Sequence, residues 1–158
     1  MHPDPSFSVV EITFLWRLVA AVVLGALMGL DRSIVGKHAG MRTYALVSLG
    51  SCVFSIVSTL ASYQLGVFPG VNPLQITASI VIGVGFIGTG LAAFKGKEEH
   101  PAELTTATGI WVVAAIGMAC GYGLFLIATV TTILGIIIFS LISRLEYWLR
   151  VRWGTEAK

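Results

Sequence analysis

The sequence predicts an all-α integral membrane protein with five transmembrane helices, its N-terminus outside and its C-terminus in the cytoplasm. Three observations predict it. Of 158 residues, 56% are hydrophobic and 11% charged, with a mean hydropathy of +0.88, whereas a soluble domain carries about 25% charged residues. The apolar residues gather into five runs of about 20, the length a helix needs to cross a bilayer core. The cations occupy alternate connections only, as Lys and Arg do on the cytoplasmic side of a membrane.

The five runs cover residues 13–30, 43–63, 75–94, 104–120 and 122–142. Stretches such as 80–87 are apolar without the alternation that a membrane β-barrel strand requires. The first run is a retained helix rather than a signal peptide, because its leader carries Asp4 and Glu11 in place of cations and Arg17 interrupts it. Arg17 sits about one turn inside the outer edge, where its stem can carry the guanidinium out to the headgroups. The fourth run opens with Pro101 and Glu103, a proline at a first helical turn and an acid near the positive end of the helix dipole. After the fifth, residues 144–153 mix Arg144, Arg150 and Arg152 with Tyr147, Trp148 and Trp153, which suits a short interfacial helix lying in the inner headgroup layer. The whole chain, residues 1–158, reads as a single transmembrane domain.

Orientation follows from the cations. Arg32, Lys37 and Arg42 fall in the first connection, Lys95 and Lys97 in the third, and Arg144, Arg150, Arg152 and Lys158 in the tail. The leader, the connection at 62–73 and the turn at 120–123 hold none.

Several function classes drop out. The Lys and Arg form no long basic run, so nucleic-acid binding is not expected. Cys52 and Cys120 lie in apolar runs and read as buried small hydrophobes. Gly83, Gly85 and Gly88 match G-x-G-x-x-G but lack a preceding strand and βαβ unit, so helix packing explains them better than a dinucleotide. A phosphate-binding G-x-x-x-x-G-K-[ST] loop is missing, as are a Ser, His and Asp set and an H-x-x-x-H pair. The chain is not expected to be an enzyme, and no cofactor is implied.

Two sets of residues remain. Between lipid-embedded helices, small residues let backbones approach, and Gly25, Gly29, Gly83, Gly85, Gly88, Gly90, Gly117 and Gly121 are the candidates for that role. The topology also gathers polar residues at the cytoplasmic face: Asp31, Arg32, Arg42, Thr43, Thr105, Thr106 and Thr108, with Thr89 near them. An Asp with two Arg can form charge-assisted, bidentate hydrogen bonds that staple helices or recognise a partner. The same carboxylate is a weak candidate ligand for Mg²⁺ held through retained waters, although the two neighbouring Arg oppose a cation.

In order along the chain stand LGALMGLDR at 24–32, AGMRT at 39–43 followed by ALV at 45–47, QI at 75–76, GVGFIGTG at 83–90, LTTAT at 104–108 with Trp111, and AIG at 115–117 with Gly121. Together these blocks resemble the MgtC/SapB family of bacterial inner-membrane proteins, over residues 18–122. Asp31 stands where that family usually has Glu, and residues 95–103 lack its usual Gly before Leu104. The resemblance implies a membrane-domain form without the C-terminal ACT-like domain of better-known members. It further implies a multi-pass protein of the inner membrane with a role in magnesium homeostasis and growth in low Mg²⁺. In pathogens the family is virulence-associated, and modulation of other membrane proteins such as ATP synthase is its proposed mode of action. The expected partners are the lipid bilayer, a membrane-protein partner or homo-oligomer, and Mg²⁺. The rival expectation is a small ion transporter or channel formed by oligomerisation, with carbonyls exposed where the third helix unwinds at its glycines.

Overall fold

The computed structural model describes residues 5–64, 73–93 and 100–153, and every regular element among them is helical. Five helices make the bundle: α1 (Pro5–Ile34), α2 (Met41–Gln64), α3 (Pro73–Ala93), α4 (His100–Gly121) and α5 (Phe125–Ile137). Among the described residues, Ile12–Ile34, Met41–Ser62, Leu104–Gly121 and Phe125–Trp153 are long and apolar enough to cross a membrane, and Gln75–Leu91 is a shorter apolar helix. The charged stretch with Lys95, Lys97, Glu98 and Glu99 lies outside the described residues.

The tail differs from the sequence expectation. No turn separates the fifth apolar helix from the basic, aromatic segment after it. Instead α5 passes through a π-helical turn, Ile138–Ile142, into α6 (Ser143–Trp153), and the junction residues Ile138 (φ −60°, ψ −47°) and Ser143 (φ −59°, ψ −41°) stay helical. A polar stretch has no need to leave a helix when its backbone bonds can continue past the apolar segment.

Two helix ends are set by glycines in the left-handed region. Gly36 (φ 72°) follows α1, where Lys37 N–H donates to the Arg32 carbonyl at 2.9 Å and Gly36 N–H to that of Ser33 at 3.2 Å. Gly123 (φ 78°) follows α4, with Leu124 N–H on the Ala119 carbonyl at 2.8 Å and Gly123 N–H on that of Cys120 at 3.0 Å. Both are Schellman closures, which satisfy carbonyls that a helix end would otherwise orphan. Ser33 then starts the next helix, since its hydroxyl accepts from Met41 N–H at 2.8 Å.

Many interior residues are small, set beside the larger Met28, Tyr44, Ile110, Ile116 and Phe139, and the periphery is covered by large apolar side chains. Ala21, Cys52, Ala114, Ala119, Cys120 and Ala128 are buried, along with Ser48, Ser51, Ser55 and Ser58 of α2. Leu46, Phe54, Ile82, Phe86, Leu126 and Ile133 face outward. Large apolar side chains on the outside, with small residues between the helices, fit a bundle whose solvent is lipid, where close backbone approach rather than water exclusion supplies contact energy. α4 touches α1, α2, α3 and α5, whereas α3 packs on α4 and less extensively on α2.

Arg17 lies against the end of α4 and the turn that follows it. Its Nη1 donates to the Gly121 carbonyl at 2.7 Å, and its Cζ lies 5.4 Å from the centroid of the Phe14 ring. A guanidinium at the last carbonyls of α4 meets the negative end of that helix's dipole.

Candidate functional site

Asp31 and Arg32 occupy the final turn of α1, where a cation is favoured by the helix dipole. Arg32 Nη2 lies 2.7 Å from Asp31 Oδ2, with the arginine side chain 8% exposed and the aspartate 23%. A charged head so deeply covered needs more than one partner to offset its lost hydration. The second partner is Phe139 of the π turn, whose ring centroid stands 4.2 Å from Arg32 Cζ, well within cation–π range.

Phe139 is held in turn by Tyr44 of α2. The two rings meet edge to face at 6.4 Å and 67°, an arrangement aromatic quadrupoles favour. Tyr44, fully buried, donates its hydroxyl to the Thr106 carbonyl of α4 at 3.1 Å. One chain of contacts, Asp31 to Arg32 to Phe139 to Tyr44 to Thr106, therefore joins α1, the π turn, α2 and α4. Arg32 Nε is buried with no hydrogen-bond partner. Chemically, the cluster keeps a carboxylate engaged by a guanidinium and presents the partly exposed edge of that pair to whatever approaches this end of the bundle.

The polar residues singled out in the sequence separate in space. Asp31, Arg32 and Thr106 belong to this network. Arg42 is exposed and Thr43 half-buried on the first turn of α2. Thr105 and Thr108 face outward on α4, and the Thr108 hydroxyl donates to the Thr105 carbonyl at 2.8 Å. Tyr44 and Phe139 were not singled out. A tyrosine inside an apolar run must find a hydrogen-bond partner, which was a usable signal. Phe139, one phenylalanine in an unbroken apolar run, gave none.

The glycines divide as well. A Cβ added at Gly25 would come 2.7 Å from Ser48 Cβ, at Gly29 2.8 Å from Tyr44 Cβ, at Gly117 2.8 Å from the Ser48 carbonyl carbon, and at Gly121 2.6 Å from Ser55 Cβ. Such distances leave no room for a side chain between these helices. Gly88 stands at ordinary contact distance from Ala107, while a Cβ at Gly83, Gly85 or Gly90 would meet nothing within 4 Å. Those three glycines of α3 bring no pair of helices together within this chain. Gly109 and Gly135 do make close approaches the sequence reading passed over, against Phe139 and Met28 respectively.

Among the described residues, no group of three or more His, Cys, Asp or Glu side chains is placed to hold a metal ion. Asp31 is the acid nearest the network, and its bound partner is Arg32.

The chain is 34% identical over 136 residues to YhiD of Escherichia coli (strain K12), whose name offers it as a candidate magnesium transporter; the match covers 85% of this chain and 62% of that protein. It is 37% identical over 147 residues to the protein SrpB of Synechococcus elongatus, covering 87% of this chain and 80% of that one. To the protein MgtC of Salmonella typhimurium it is 38% identical over 121 residues, covering 77% of this chain and 48% of the relative. The chain thus spans less than two thirds of the length of the E. coli and Salmonella relatives. No solved structure matches it. The MgtC family profile matches residues 18–148, which takes in all the helices from most of α1 to the middle of α6, and the chain belongs to the MgtC family.

Proposed function

We propose that this protein serves magnesium homeostasis in the bacterial inner membrane by binding other membrane proteins rather than by carrying the ion itself. It is read as crossing the bilayer five times, with the N-terminus outside and the basic C-terminal segment in the cytoplasm, because Lys and Arg fall in alternate connections of the sequence and in its tail. The name of the E. coli relative supports the magnesium link.

One observation carries the preference for contact over conduction: the Asp31 carboxylate is already engaged by Arg32, 2.7 Å away. A cation path presents carboxylates or carbonyl rings along the membrane interior. The charged side chains described inside this bundle, Arg17 and Arg32, would repel a divalent cation instead. The exposed margin of the Asp31 and Arg32 pair forms the recognition surface, Arg42 on the first turn of α2 is assigned to it as a second cation, and no catalytic role is assigned to any residue.

The test has two parts. Asp31→Ala and Arg42→Ala are introduced into a strain that needs this protein to grow in low Mg²⁺, and both should fail to restore growth while the protein is still made. Uptake of Mg²⁺ is then measured in liposomes that contain only the purified protein, and no flux above empty liposomes is expected. Flux that disappears in Asp31→Ala would replace this reading with that of a transporter, which the name of the E. coli relative favours.

A further inference from the structure

The last helix leaves its cations uncompensated. Among the described elements, α6 packs extensively only on the π turn, and its described side chains are all exposed. Arg144, Trp148 and Arg152 stand four residues apart and share one side of the helix, while Glu146, two residues before Trp148, points nearly the opposite way. No carboxylate pairs with Arg144 or Arg152 among the described residues. Arg152 instead lies back over the Trp148 ring, its Cζ 4.9 Å from the centroid.

The unbroken helix sets the depth of these groups. Counted from Phe125 at about 1.5 Å per residue, Arg144 stands about 28 Å along it and Arg152 about 40 Å. A hydrocarbon core is about 30 Å thick, and each headgroup layer adds roughly 5 to 7 Å. Arg144 thus meets the edge of the core, where its stem can carry the guanidinium up to the phosphates. Arg152 starts beyond the headgroups, but helical side chains lean toward the N-terminus of their helix, and this one reaches back about one turn, or about 5 Å, to Trp148. The two guanidinium groups therefore converge on the phosphate layer from opposite directions, beside an indole of the kind that settles there.

We infer that the Arg144, Trp148 and Arg152 side of α6 is a binding site for the headgroup of an anionic phospholipid. The site rests on the reading in which α5 crosses the bilayer. Guanidinium groups suit a phosphate because they can bond it through two parallel N–H donors, and stacking on Trp148 holds Arg152 in place before the lipid arrives. A zwitterionic headgroup brings its own ammonium into the same space, where two arginines repel it; an anionic one leaves the phosphate charge for them to balance.

The experiment places the full chain in vesicles of phosphatidylethanolamine with a minor share of phosphatidylglycerol, and follows spin-labelled lipids of each kind. The fraction of each label immobilised by the protein gives its preference. The wild type should hold phosphatidylglycerol at least about fivefold over phosphatidylethanolamine, which corresponds to about 1 kcal/mol and is the scale of one cation at a membrane surface. Arg144→Gln with Arg152→Gln should lose that preference while circular dichroism stays unchanged, since both side chains are exposed. Lys95→Gln with Lys97→Gln removes as much charge elsewhere in the chain and should keep it. No preference in the wild type would overturn the inference, and so would equal loss in the two double variants, which would trace the preference to diffuse charge. Polyglutamate bound through Arg144 and Arg152 by a wild type indifferent to phosphatidylglycerol would also overturn it, making this side a dock for an acidic protein segment. In spheroplasts, an impermeant maleimide that reaches Leu124→Cys but not Lys158→Cys reports the crossing by α5 separately. Both vesicle leaflets hold the same lipids and no readout involves magnesium, so failure of the lipid site is distinguishable from failure of the orientation or of the magnesium role.

Discussion

The guanidinium carbon of Arg32 stands 4.2 Å from the centre of the Phe139 ring, bringing the end of the first helix onto a turn that most of the chain separates from it. The ring does for Arg32 what water would do elsewhere, covering a charge that Asp31 alone leaves with one buried, unbonded nitrogen. Removing Phe139 therefore has two costs: a cavity against Tyr44, and renewed exposure or reburial of the cation.

Phe139→Ala should destabilise the folded protein by about 3 kcal/mol, measured as reversible unfolding in detergent micelles. Phe139→Leu retains most of the packing but has no ring face, and should cost about 1 kcal/mol. Equal losses in the two variants would assign the whole effect to volume.

Asp31→Ala strands the arginine. Because the carboxylate is 23% exposed, the expected loss lies below that of a fully buried pair, at about 2 kcal/mol. Asp31→Asn keeps an acceptor and should lose less. The double change Asp31→Ala with Arg32→Met removes both charges and should recover most of the stability; a double variant as unstable as Asp31→Ala alone would show that the pair does not act as a unit.

Gly117→Ala and Gly90→Ala place the same methyl group in opposite circumstances. At Gly117 it meets the Ser48 backbone, with 2.8 Å to its carbonyl carbon, and at Gly90 it meets nothing. The first should cost about 3 kcal/mol through forced separation of α2 and α4. The second should be neutral or stabilising by up to about 1 kcal/mol, since Ala is the better helix former. Thermal midpoints of the two variants against wild type decide the matter.

Arg17→Lys keeps the charge but replaces a guanidinium that reaches the Gly121 carbonyl at 2.7 Å with a shorter, pointlike ammonium. A loss of about 1 kcal/mol is expected, along with faster amide exchange in the last turn of α4. Unchanged exchange at that turn would mean that Gly123 alone closes the helix.

The helices were legible in the sequence because apolar length is a direct physical requirement of crossing a bilayer. Their ends were less so: α1 runs on past Asp31 and Arg32 to Ile34, because charges at the edge of the apolar run do not break a helix and the closure comes only at Gly36. The role of Gly25, Gly29, Gly117 and Gly121 could be anticipated from small residues in apolar runs, but that pattern is identical at Gly83, Gly85 and Gly90, which face outward. What separates the two groups is how little of α3 is covered, by α4 and less extensively by α2, and that cover comes from neighbours distant in sequence. Asp31 and Arg32 announced themselves as charges in an apolar chain. Phe139 could not, because its importance lies wholly in what it covers.

The π turn also keeps a phase. A turn wound with i→i+5 bonds holds one residue more than an α-helical turn, and each residue of an α-helix advances it by about 100°. Deleting a single residue within Ile138–Ile142 would let this turn rewind as α and leave Trp148 and Arg152 facing nearly the side they face now, whereas a deletion within an α-helical stretch of α5 would turn them by about 100° around the axis. The turn thus absorbs one extra residue locally, and relatives lacking that residue and wound as α there would present nearly the same side of α6 on an otherwise unaltered bundle.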